Sequence, residues 1–120
     1  MRRTAIPDPV RELLPRSPAV FYILFALAEG EKHGYAIMKE AETVSGGQFT
    51  MGPGTLYTTL QRLLELGLIE ETSTPSNSER RRRYYRLSRS GRQVFEAELN
   101  RMESLVRSAQ RRKLAPHDAR

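Results

Sequence analysis

The densest charge in the chain is the run Arg80-Arg81-Arg82-Arg83, followed directly by Tyr84-Tyr85-Arg86. Four adjacent guanidiniums repel one another, and a row of phosphates relieves that repulsion. The planar fork of arginine also matches phosphate oxygens and guanine edges. Two other readings compete: charges that protect a sheet edge from aggregation, or a solvated loop. Strand side chains alternate, so the four arginines cannot all face one way. A second group lies upstream. Gly54, Thr55, Tyr57, Thr58 and Arg62 fall on the polar side of a helical repeat whose apolar side is Leu56, Leu60, Leu63 and Leu64. Slim side chains near a helix start let the helix enter a major groove, and threonine can bond phosphates or base edges or touch a thymine methyl. Tyr57 can add a phosphate contact. Tyr35 and Lys39, one helical turn apart, form a third group. Tyr35 reads equally as a core aromatic or as a phosphate ligand beside a helix N-terminus.

Other chemistry finds little support. The chain has no cysteine and two histidines, His33 and His117. No metal site follows from that inventory, and His33, next to Gly34, reads as a helix-start hydrogen-bonding residue. There is no P-loop, no GxGxxG and no inferable Ser/His/Asp set. Gly52-Pro53-Gly54-Thr55 lacks the lysine and the buried strand of a phosphate cradle. No enzyme and no cofactor is expected.

The 120 residues suffice for one domain with a closed core. Of the 20 basic residues 17 are arginine, against 14 acidic ones, a net charge of +6. Residues 1–79 carry 7 basic and 10 acidic side chains, whereas residues 80–113 carry 12 and 3. A mildly acidic body joined to a strongly basic C-terminal third favours a polyanionic partner. The apolar run 19–28 is too short to span a bilayer. Despite Arg2 and Arg3 before it, it reads as a buried helix of a cytoplasmic protein with no membrane partner.

The elements that position these residues follow from periodicity and punctuation. Residues 1–16 read as a loose arm with one short turn near 10–14. Ser17-Pro18 starts a helix, with a hydroxyl cap and proline at the first helical position. That helix stops at Gly30, and it is apolar nearly all round and hence central. A second helix spans 34–44, with Tyr35, Ile37, Met38 and Ala41 as its apolar stripe. A very short strand is expected at 48–51. A third helix covers 53–66 and is closed by Gly67 at the left-handed position. Strands 68–73 and 81–87, joined by a polar turn, form an antiparallel hairpin. Tyr85 and Leu87 point one way along it, and Arg82, Tyr84 and Arg86 the other. Ser88 caps a final helix over 89–113, whose Phe95, Leu99, Met102, Val106 and Ala109 form a coiled-coil-like seam. Residues 114–120 read as a disordered tail.

Three helices, a basic hairpin and a long helix make a mainly α fold: a winged helix-turn-helix with a three-helix core and a two-stranded β-wing over 17–88. The stripe of the helix 89–113 reads as core or as a dimer seam. In that arrangement the third helix enters the major groove and the hairpin reaches the backbone.

Four ordered segments then resemble the PadR family of bacterial transcriptional regulators. They are His33-Gly34-Tyr35-Ala36-Ile37, Gly54-Thr55-Leu56-Tyr57-Thr58-Thr59-Leu60-Gln61-Arg62-Leu63, Gly67-Leu68-Ile69, and Arg82-Arg83-Tyr84-Tyr85-Arg86-Leu87-Ser88-Arg89-Ser90-Gly91. The resemblance covers roughly residues 17–107. It implies a homodimeric winged-helix repressor, released in many members by a small-molecule effector. It makes 54–62 the recognition helix, Arg80, Arg81, Arg82 and Arg83 the wing, and Tyr35 a backbone contact. Thr58 stands where the family commonly has proline, which leaves the helix less kinked and alters its base contacts. The short C-terminal region matches the short subfamily, so an effector would need the dimer interface.

The expected function is therefore sequence-specific binding of double-stranded DNA at an inverted repeat. Tyr35, Lys39, Gly54, Thr55, Tyr57, Thr58, Arg62, Arg80, Arg81, Arg82, Arg83 and Tyr84 meet the DNA. Phe95, Leu99, Met102, Val106 and Ala109 join the two copies. The alternatives are a winged-helix adaptor whose basic hairpin docks on an acidic protein, and an RNA-binding protein. The latter needs exposed aromatic platforms, for which Tyr84 is the one candidate on the outer strand face.

Overall fold

A computed structural model describes residues 17–73 and 83–114. The expected arm at 1–16, the hairpin turn with Arg80, Arg81 and Arg82, and the tail from 115 onward lie outside the described residues.

Helix α1, Pro18–Ala28, is the hub. Its residues Ala19, Val20, Ile23, Leu24, Ala26 and Leu27 are buried, and it packs against all the later helices and the wing. Pro18 occupies the first turn as expected. Ser17, however, makes no side-chain cap; its carbonyl accepts from Val20 N instead. At the other end two cations meet the last carbonyls. Lys32 Nζ donates to Ala26 O at 2.8 Å and Arg92 Nη2 to Ala28 O at 3.3 Å, both favourable at the negative end of a helix.

Helix α2 is Gly34–Val44 and α3 is Pro53–Glu65. Ile37 and Ala41 of α2, and Leu56, Leu60 and Leu63 of α3, complete the core with α1. The expected strand at 48–51 does not form. Ser45 Oγ accepts from Phe49 N at 3.0 Å and donates to Phe49 O, and the Phe49 ring stacks on Tyr22 at 5.0 Å. This local closure replaces strand pairing. Gly67, at φ +76°, ends α3 in the left-handed cap, with Leu68 N donating to Leu63 O.

The sheet has three strands where a two-stranded wing was expected. Its order is β1-β3-β2, with β1 Lys32–His33, β2 Ile69–Ser73 and β3 Arg83–Leu87, all antiparallel. The added strand pairs Lys32 with Tyr85 and His33 with Tyr84. It covers an edge of β3 that a hairpin alone would leave open.

Helix α4, Arg89–Arg111, starts at Ser88, whose Oγ accepts from Gly91 N at 3.0 Å. It ends two residues before the expected position because Lys113 turns left-handed, at φ 61°, and Leu114 N closes onto Ala109 O. Val94, Phe95 and Glu98 are buried, and no described residue after Glu98 is. Phe95 is 6% exposed and lies against Phe21 and Phe25. The structure thus gives Phe95 to this chain's own core and takes it out of the expected seam.

Gly91 lets α4 reach the sheet. A Cβ there would collide with the Leu68 carbonyl oxygen, which already accepts from Ser88 N and cannot swing away. Gly91→Ala is expected to lower stability by about 1–3 kcal/mol through overpacking, although the same change in an open helix gains about 1 kcal/mol. A denaturant midpoint at or above wild type would contradict the contact.

Candidate nucleic-acid interface

The starts of α2 and α3 and the middle of β3 meet at one place. His33 ends β1 and caps α2, its Nδ1 accepting from Ala36 N at 3.3 Å. Its ring meets Tyr84 edge-on at 5.4 Å. The next residue, Gly34, is buried, and a Cβ on it would strike the Tyr57 hydroxyl and crowd Leu56. The missing side chain is therefore what lets α3 lie against the first turn of α2. Tyr57 also lies within electrostatic reach of Tyr85 on β3.

Neither helix carries an acid in its first turn. Apart from the Ala36 N–H that His33 caps, their first-turn N–H groups and positive dipole ends thus face no carboxylate of their own helix, a setting that suits anions. Around them the polar side chains are open. Tyr35 is 61% exposed, which removes it from the apolar stripe of α2 and decides against the core reading. Lys39 Nζ sits over its ring, 5.9 Å from the centroid. On α3, Gly54, Thr55, Thr58 and Arg62 are exposed and Thr59 is half-buried. Tyr57 is 47% exposed, with the hydroxyl end of its ring against Gly34.

The wing is less simply basic than its sequence. Arg83 Nε meets Glu71 Oε2 at 2.9 Å, and Arg86 Nε meets Glu70 Oε1 at 2.9 Å. Sequence reasoning passed over both acids because it weighed the arginine run alone; the hairpin register was the signal that could have found them. Tyr84 is half-buried against His33, which does not suit an RNA stacking platform. Among the described residues no group of three or more His, Asp or Glu could hold a metal. No described helix is long and apolar enough to cross a membrane.

The model of the transcriptional regulator PadR-like family matches residues 23–97. The chain belongs to the PadR family. That is a family of transcriptional regulators, not of enzymes. A curated relative, an uncharacterised 37.1 kDa protein in transposon TN4556 of Streptomyces fradiae, is 39% identical over 87 residues. The match covers 72% of this chain and 24% of that one, so the chain spans about a quarter of the relative's length. Among solved structures, a transcriptional regulator from Clostridium thermocellum aligns with a TM-score of 0.65 at 24% identity, over 90% of this chain and 97% of its own. Bacillus subtilis PadR in complex with operator DNA aligns with a TM-score of 0.59 at 26% identity, over 67% of this chain and 45% of its own. The winged-helix fold with a long C-terminal helix is thus the PadR fold.

Tyr85 gives this region a pH signature. Burial pushes its hydroxyl above the ordinary 10.0, Glu71 and Tyr57 add to the rise, and Arg83 opposes it. Below that ordinary value the ring is neutral in folded and unfolded chains alike, and its burial contributes in full. As pH rises further, the unfolded chain ionises first and stability falls. Absorbance titration should show a late tyrosinate step that Tyr85→Phe removes; a variant curve that loses an early step instead would contradict the burial.

Proposed function

We propose that this PadR-family chain is a homodimeric repressor that binds an inverted-repeat operator in duplex DNA. The observation that carries the reading is the convergence of two acid-free helix N-termini under exposed Tyr35, Lys39, Thr55, Thr58 and Arg62. Helix α3 is the element that enters the major groove, where Thr55, Thr58 and Arg62 read base edges or adjacent phosphates. Tyr35, Lys39 and Tyr57 hold the flanking backbone, and the wing arginines follow it outward. The operator DNA held by the Bacillus subtilis relative supports this assignment. Repression follows from occupying a promoter that polymerase needs.

Dimerisation falls to the distal half of α4. There Leu99, Leu105 and Val106 are exposed, and Met102 and Ala109 are half-covered. Leu105 joins the expected seam and Phe95 leaves it. An apolar stripe on a helix that has run past its own core is the surface a second copy would cover.

Footprinting on the protein's own promoter region should protect two half-sites about one helical turn, roughly 34 Å, apart. Neutralising two wing arginines should flatten the slope of log affinity against log salt by about 0.9 for each phosphate that is no longer neutralised. An unchanged slope would put the wing off the DNA.

Val106→Asp combined with Leu99→Asp should leave the helical content intact and convert the dimer to a monomer in sedimentation. A wild-type protein that sediments as a monomer at every concentration would overturn the two-fold arrangement.

A further inference from the structure

We propose that Glu70 and Glu71 are specificity determinants that hold the wing guanidiniums in check and so set the margin between operator and bulk duplex. The proposal rests on the DNA-binding reading above. Its basis is the pairing within the wing. Glu70 stands opposite Arg86 in the β2–β3 register, whereas Glu71, opposite Tyr85, reaches diagonally to Arg83. The two pairs have the same 2.9 Å contact through Nε. The described strands β2 and β3 carry two carboxylates and two guanidiniums, and their net charge is nil.

The arginine side chains remain 70% and 56% exposed, so the pairs are open to exchange with a phosphate. The exchange trades one charge-assisted bond for another and leaves a carboxylate facing a polyanion. On a duplex of arbitrary sequence nothing else favours it, and the pairs persist. On an operator, the base contacts of α3 fix nearby phosphates against the wing. Proximity then drives the exchange, and the guanidiniums transfer. The carboxylates therefore suppress loose backbone binding more than seated binding.

The test compares wild type with Glu70→Gln, Glu71→Gln and the double variant on two probes. One is the duplex that the wild-type protein enriches from a random-sequence library. The other is a scrambled duplex of equal length and composition. On the scrambled duplex the double variant should steepen the slope of log affinity against log salt by up to about 1.8, for two newly engaged phosphates at about 0.9 each. On the enriched duplex the slope should change by less than half as much, so the affinity ratio between the probes falls. Glu103→Gln is the control. It removes an exposed pair of equal length, Glu103 to Arg107 at 2.9 Å on α4, and should leave both slopes in place. Three results would overturn the proposal: a variant that tracks wild type at every salt concentration, an equal change on both probes, or a Glu103→Gln effect of the same size per charge. A wild-type protein that enriches no duplex and shows no salt-dependent binding overturns the DNA reading itself, and this proposal with it.

Discussion

Tyr57 lies across Gly34, and the rest of the interface is arranged around that contact. A hydrogen in place of a side chain lets the ring of α3 settle on the first turn of α2. The two helices thereby present their N-terminal ends together. Because His33 pairs with Tyr84 just before α2 begins, the wing strand is tied to the same spot. One close approach thus brings together three elements distant in sequence. Leu56, the neighbour of Tyr57, is fully buried and anchors the arrangement in the core.

The balance of charge in the wing qualifies the picture that a run of arginines suggests. Exposed ion pairs contribute little to stability, of order 0–1 kcal/mol each, so Glu70 and Glu71 do not hold the hairpin together. Their effect is on what the arginines are free to do. The pair in α4 is different, because one partner is buried. Glu98 is 3% exposed and accepts from Arg101 Nε at 3.1 Å and from its Nη2. Its carboxylate sits at the last buried position of α4, where the covered part of the helix gives way to the exposed part.

Much of this was legible in the sequence, for identifiable reasons. Gly67, Ser88 and Pro18 are local signals, and each shapes its helix end as its chemistry requires. The leucine spacing of α3 placed its buried face, and the outward threonines followed by exclusion. The missing strand at 48–51 and the missing Ser17 cap are local failures; the others concern distant parts of the chain. Strand β1 is two residues long and has no alternation to detect; it exists because β3 offers an edge. Tyr35 fits an apolar stripe by spacing, yet the core is already filled by Ile37 and Ala41. Phe95 fits the seam by spacing, yet α1 presents Phe21 and Phe25 to it. The partners of Arg83 and Arg86 depend on hairpin register, which composition does not encode.

The tight seat of Gly91 on the Leu68 carbonyl has a mechanical consequence. With the packing of Val94, Phe95 and Glu98 it fixes the root of α4, and the helix beyond Glu98 is a lever of about 20 Å at 1.5 Å per residue. Over that length a tilt of about 5° would carry the far end through about 2 Å. Any force applied at that tip is therefore geared down into a small, well-defined rotation at the root.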